Sequence, residues 1–246
     1  MSQPLKVYAR ENKSSDIHCI LLHGFGADAH DLMGLASEIN TRSSVDYLFP
    51  QAPYSIEVQG QKYGTAWFPR TEDEIMRALT GDYFVGISRI DPPALCQSVD
   101  EILAFIESSG IEWNRLVIGG FSQGAMIAAE LALRAPAPPA GVVLLSGALV
   151  AHSRWEGLAD ELTKRWGGTA AVPDVPLFQS HGIQDPILDV AGAEALHELL
   201  TASRFSGELR TFAGGHTIPL PILNELAEFI DSTAGLTTGM HDSNPV

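Results

Sequence analysis

Three residues of this chain, Ser122, Asp185 and His216, have the types that acyl transfer by a serine uses, in one of the several chain orders in which those types occur. Ser122 stands in Gly120-Phe121-Ser122-Gln123-Gly124, a G-x-S-x-G pattern. It follows the apolar run RLVI and opens the helix-forming stretch QGAMIAAELALR. A strand, a sharp turn and a helix in that succession lift a serine out of a sheet. Small flanking residues let strand and helix approach closely. The serine then sits at the positive end of the helix dipole, near backbone N–H groups without partners. A serine that only caps the helix is the plainer alternative. A serine hydroxyl is a weak nucleophile near neutral pH, so it needs a base, and the base needs an orienting acid.

The sequence offers both on loops that follow strands. Asp185 lies in PLFQSHGIQDPIL, and His216 lies in LRTFAGGHTIP. Catalytic groups gather at the carboxyl ends of strands in open α/β sheets. Asp174 and Asp189 are the rival acids. Asp174 precedes its strand and falls at the wrong end, and Asp189 is placed to cap the next helix. His216 is preferred because Gly214-Gly215 frees the backbone before it and Pro219 starts a helix after it. His18 alternates within a strand, and His181 at a strand end makes a structural hydrogen bond. His152, His197 and His241 have no supporting context. The stretch LLHGFGAD (21–28) runs from a strand into a glycine turn and a helix. Such a turn aims one N–H at a developing oxyanion, and the residue after the nucleophile supplies another. These donors are the main-chain N–H groups of Phe25 and Gln123, with His23 shaping the loop. An ordinary glycine turn or a phosphate loop is the alternative. No GKS or GKT follows, and G-x-G-x-x-G is absent, so nucleotide binding is disfavoured.

The elements that must hold these residues alternate along the chain. Short apolar runs at 17–22, 46–50, 115–120, 141–147, 176–182 and 207–215 read as parallel strands covered on both faces. LKVYAR reads as an edge strand. Helical patterns occupy 30–40, 92–109, 122–134, 189–203 and 219–232. The alternation predicts one α/β domain over 1–234: a mostly parallel, doubly wound sheet with helices on both faces. Residues 51–91 and 148–175 break the pattern and read as lid or pocket loops, the second with a short helix. Trp67, Phe68, Tyr63 and Phe84 are the candidate acyl-pocket residues, with Ile75, Met76 and Leu79 as an apolar flap. Residues 235–246 read as a flexible polar tail.

Composition narrows the partners. The chain has 246 residues, 45% of them hydrophobic, and a net charge of −15. That charge repels nucleic acid and anionic lipid. No apolar stretch approaches the roughly 18 residues of a membrane span. The first residues lack the apolar core of a signal peptide. Cys19 and Cys96 have neither CxxC nor metal-ligand spacing, so no metal, no cofactor and a reducing, cytoplasmic setting are expected. The partner class is a small-molecule ester, with no stable membrane insertion and the oligomeric state left open.

Four stretches, LHGFGAD, GGFSQGA, HGIQDPI and GGHTIP, together resemble the phospholipase/carboxylesterase family of α/β-hydrolases, which includes the acyl-protein thioesterases. The similarity runs over about residues 15–231, and VVLLSGAL and AWF look like further landmarks. The resemblance implies an α/β-hydrolase fold, Ser122 as nucleophile with Asp185 and His216, and Phe25 and Gln123 as oxyanion donors. Thr217 and Pro69 stand where the family often has an acidic residue. The stretch around Trp67 looks more like bacterial carboxylesterases than eukaryotic thioesterases. The implied activity is that of a serine carboxylesterase acting on short-to-medium acyl chains. A lysophospholipase or acyl-protein thioesterase is the alternative, and a non-catalytic ligand receptor on the same fold is the distant one.

Overall fold

Residues 5–12, 14–58, 60–71, 73–74, 87–167 and 174–239 are described by a computed structural model. The apolar runs form β1 (Val7–Arg10), β2 (Ile17–Leu22), β3 (Val45–Pro50), β4 (Tyr54–Val58), β5 (Gln61–Ala66), β6 (Leu116–Phe121), β7 (Gly141–Leu145), β8 (Val175–Gly182) and β9 (Phe205–Phe212). Seven of them make one sheet in the order β1-β3-β2-β6-β7-β8-β9. Only the edge strand β1 runs antiparallel to its neighbour. Central strands covered on both faces carry no polar alternation, and β7 is buried along its whole length.

Among the described residues the α-helices are α1 (Ala29–Ala36), α2 (Pro93–Ser109), α3 (Gln123–Arg134), α4 (His152–Arg165), α5 (Val190–Thr201) and α6 (Leu220–Gly239). They sort to opposite faces. Ile102 and Ile106 of α2, Ile127 and Leu131 of α3, Trp155 of α4 and Leu196 of α5 belong to one core. Leu32 of α1 and Leu226 and Ile230 of α6 belong to the other. The layering is the doubly wound one that the alternation predicts. Within α3 every residue from Gln123 to Leu133 is buried, which makes it the central helix behind the sheet. Its one buried carboxylate, Glu130, accepts hydrogen bonds from the Trp155 indole at 2.9 Å and Arg154 at 2.7 Å, tying α4 to α3.

Three expectations change. The stretch expected as a loop from residue 51 contains a two-stranded antiparallel ribbon, β4 with β5. Within 148–175 the helix is longer than expected, running from His152 to Arg165. The stretch expected as a flexible tail from 235 begins inside α6, which runs to Gly239. Phe84 and the flap residues Ile75, Met76 and Leu79 lie outside the described residues. Among the described residues no helix is long and apolar enough to cross a membrane.

Candidate active site

Ser122 is the whole of the turn between β6 and α3, with φ 55° and ψ −119°. A non-glycine residue there is strained by about 1–3 kcal/mol and persists only where its surroundings dictate it. Its N–H donates to the Leu145 carbonyl at 2.8 Å, and its own carbonyl accepts from Ala125 at 3.0 Å. The flanking glycines are required by close approach. A methyl on Gly120 would collide with the Gly124 backbone, and one on Gly124 with the Leu22 carbonyl. The hydroxyl is therefore held at the carboxyl edge of the sheet by backbone geometry.

Asp185 lies just past β8 and His216 just past β9, at the same edge. His216 Nδ1 donates to Asp185 Oδ2 at 2.6 Å. The other carboxylate oxygen accepts the N–H groups of Ile187 at 2.8 Å and Leu188 at 3.0 Å. Burial by itself would raise the Asp185 carboxyl. The hydrogen bonds from His216 and from the Leu188 and Ile187 N–H groups outweigh it and hold the group below its ordinary value. An ionised Asp185 fixes the proton on Nδ1 and leaves Nε2 as an acceptor. The ring of Phe121, next to Ser122 in the chain, packs on His216 with centroids 4.8 Å apart. His181 donates to the Leu188 carbonyl at 2.8 Å, the structural bond expected of it. The rival acids sit as expected: Asp189 caps α5 at Ala191, and Asp174 pairs with Arg204 before β8.

The glycine loop after β2 is clasped from outside. Gly26 N–H donates to the Thr65 carbonyl at 2.9 Å, and Thr65 N–H donates to Ala27 at 3.2 Å. The β4–β5 ribbon is thus a buttress for the loop that carries Phe25. Beneath it lies His23, fully buried. The Ala52 N–H donates to Nε2 at 3.1 Å, so Nδ1 carries the hydrogen given to the Gly24 carbonyl at 2.9 Å. The Trp67 indole donates to the His23 carbonyl at 2.8 Å. The Gln123 side chain accepts from Trp67 N–H and donates to the Phe68 carbonyl, both at 2.8 Å. Gln123 thereby locks the start of α3 to the ribbon. Its own N–H, the first of the helix, has no intrahelical partner.

His23 gives a pH prediction. Burial lowers its pKa below the ordinary 6.5, against opposing contributions from Gly24, Asp28 and Asp31. The unfolded chain then takes up a proton at a pH where the folded chain does not. The contribution is complete above pH 6.5 and is lost as pH falls below it. Urea unfolding midpoints are expected to fall with acidification in that window. His23→Gln is expected to flatten the slope, and a variant with the wild-type slope sinks this assignment.

A narrow cleft opens over Ser122, walled by Phe25, Phe68, Ile87, Gln123, Met126, Leu188 and Arg70. Of the four aromatic pocket candidates, Phe68 lies in the wall. Trp67 does not, because its indole is used to hold the His23 loop from behind. Tyr63 points to solvent on β5, 59% exposed. Four wall residues escaped sequence reasoning. Met126 carried a usable signal, being four residues after Ser122 on one helix and so on the same face. Arg70 and Ile87 fall in the 51–91 stretch read as a lid or pocket loop, though nothing in it singled them out, and Leu188 had no signal, since tertiary packing alone brings it in.

This sheet order, with helices on both faces and a strained serine between a central strand and its helix, is that of an α/β-hydrolase. The chain belongs to the phospholipase/carboxylesterase family, whose model matches residues 5–234. Among curated relatives it is 28% identical over 237 residues to acyl-protein thioesterase 1 of Eremothecium gossypii, covering 92% of each chain. It is 29% identical over 188 residues to acyl-protein thioesterase 1 of Cryptococcus neoformans, covering 75% of this chain and 72% of that one. Among solved structures, the Bacillus cereus carboxylesterase shares the fold with a TM-score of 0.66 at 21% identity, covering 93% of this chain and 94% of that one.

Proposed function

We propose that the protein hydrolyses carboxylic esters with short-to-medium acyl chains through an acyl-enzyme formed on Ser122. The observation that carries this reading is the 2.6 Å bond from His216 Nδ1 to the buried carboxylate of Asp185, at the same sheet edge where Ser122 stands on a strained turn. His216 takes the proton of Ser122 as the hydroxyl attacks the ester carbonyl. Asp185 holds the imidazole in the needed tautomer and stabilises its cation. The N–H groups of Phe25 and Gln123 receive the oxyanion, each worth about 10²–10³ in kcat. The alcohol leaves with the proton from His216. Water, deprotonated by the same His216, then releases the acid. The chemistry calls for no metal or cofactor. The narrow, largely apolar cleft supports a short-to-medium acyl preference, and two free cysteines, one buried, fit a cytoplasmic setting.

A panel of p-nitrophenyl esters from acetate to palmitate tests it. Turnover is expected to peak at short-to-medium acyl length and to fall by palmitate. A flat profile or a palmitate optimum overturns the acyl preference. The likeness to two fungal acyl-protein thioesterases favours a second reading, cleavage of thioesters by the same residues. Matched butyryl esters and thioesters separate the two through their kcat/KM ratio, and lysophosphatidylcholine in the same panel tests the lysophospholipase variant.

A further inference from the structure

We infer that His181 is a positioning residue for Asp185: it braces the turn that presents the carboxylate to His216. This deepens the serine-hydrolase reading above and rests on it. The side chains of His181 and Asp185 are both fully buried. His181 Nε2 donates to the Leu188 carbonyl at 2.8 Å and lies 3.4 Å from Asp185 Oδ2. Nδ1 is buried with no hydrogen-bond partner among the described residues, so the proton belongs on Nε2, where an acceptor stands. Leu188 in turn gives its N–H to Asp185 Oδ1 at 3.0 Å, beside Ile187 at 2.8 Å. Leu188 is thus gripped twice, its N–H by the acid and its carbonyl by His181.

The near end of the turn is held by backbone. Asp185 N–H donates to the Gly182 carbonyl at 3.1 Å. Ile183 and Gln184 donate to the carbonyls of Phe212 at 2.9 Å and Gly214 at 3.0 Å, on the segment that leads to His216. A methyl on Gly182 would collide with the Gly214 and Gly215 carbonyl oxygens, so the acid and base loops lie edge to edge. The far end, at Leu188, is held by the His181 side chain. The two oxygens of Asp185 serve different partners, Oδ1 the backbone and Oδ2 His216. Drift at residues 187 and 188 would carry Oδ1 along and swing Oδ2 off His216 Nδ1. A misplacement of about 1 Å in such a constellation costs on the order of 10² in rate. The 3.4 Å from His181 Nε2 to Oδ2 is long for a hydrogen bond whose proton goes to Leu188. It still sets the positive edge of an imidazole beside a carboxylate with little water to screen it.

The test replaces His181 and reads both turnover of p-nitrophenyl butyrate and the proton resonance of His216 Nδ1–H, identified by its loss in His216→Gln. His181→Phe fills the ring's place without a donor, and kcat is expected to fall about 10- to 100-fold while the resonance moves upfield or broadens away. His181→Gln, whose amide N–H reaches the place of Nε2, is expected to recover part of both. Should the Phe variant not fold, His181→Asn takes its place, since its amide reaches only as far as Nδ1. On an Asp185→Asn background the same replacement is expected to change the residual kcat by less than about twofold, because His181 acts through Asp185. His197→Phe is the control: it cuts a 3.1 Å bond to the buried Gln179 on the same strand, and it should leave the resonance in place. A kcat within about twofold of wild type with an unmoved resonance overturns the positioning role, as does a loss that adds in full to that of Asp185→Asn. If wild type turns over no ester, the hydrolase reading fails separately, and the resonance alone decides: its loss in His181→Phe supports the brace, and its persistence overturns it.

Discussion

Ser122→Ala is expected to lower kcat by about 10⁶-fold on a short acyl ester, because removing the nucleophile disables residues that act as a unit. The variant is a clean test of chemistry. Alanine carries the same Cβ as serine, so it bears the same strain at φ 55°. The bonds holding the turn run through its backbone, from Ser122 N–H to Leu145 and from Ala125 N–H to the Ser122 carbonyl, and survive the change. Its thermal midpoint should stay close to that of wild type. The oxyanion donors also remain, so a residual rate about 10³–10⁴-fold above uncatalysed hydrolysis is expected. Single-turnover release of p-nitrophenol measures it. A loss smaller than about tenfold removes Ser122 from the mechanism.

Asp185→Asn is expected to cost about 10⁴-fold in kcat with the fold intact. The geometry dictates which way the new amide points. Ile187 and Leu188 both donate to Oδ1 at 2.8 and 3.0 Å, so an asparagine must place its oxygen there. Its NH₂ then faces His216 Nδ1, where a donor now stands in place of an acceptor. The imidazole responds by moving its proton to Nε2, the wrong tautomer for a base. Because the two backbone bonds are retained, stability should change little while activity collapses. A kcat within about tenfold of wild type, or a parallel loss of folding, would remove the orienting role from Asp185. Asp189→Asn is the matched control, since that carboxylate caps α5 and touches neither His216 nor the cleft.

The parts of the molecule that were legible in the sequence are those that local rules determine. Parallel strands buried on both faces leave uninterrupted apolar runs, and these located six strands of the main sheet to within a few residues. G-x-S-x-G and the Gly214-Gly215 pair mark tight backbone passages, and they led to Ser122 and His216. Asp185 could be preferred over Asp174 from strand polarity alone, and the ion pair of Asp174 with Arg204 is consistent with that choice. The wall of the Ser122 cleft was not legible, for a physical reason. Trp67 and Phe68 are adjacent and both aromatic, yet one braces the His23 loop and the other lines the cleft over Ser122. Which does which depends on the hydrogen bonds that the Gln123 side chain makes across the fold. The ribbon of β4 and β5 was also missed. Its Gly64 and polar Gln61-Lys62-Tyr63 face solvent or the glycine loop rather than a core, so they show no apolar alternation.

The clasp between that ribbon and the glycine loop bears on how the molecule comes into being. Trp67 and Gln123 are 56 residues apart, Trp67 and His23 44, and Asp185 and His216 31. Each bond closes a long stretch of chain, and such closures tend to come late because their entropy must be met before they reward it. Helices such as α3 can form from local contacts well before them. During refolding, recovered turnover would therefore report the last contacts to form, while helical signal reports the first. A nascent chain that lacks β9 also lacks the loop bearing His216, so the proposed mechanism predicts no turnover until synthesis has passed that loop.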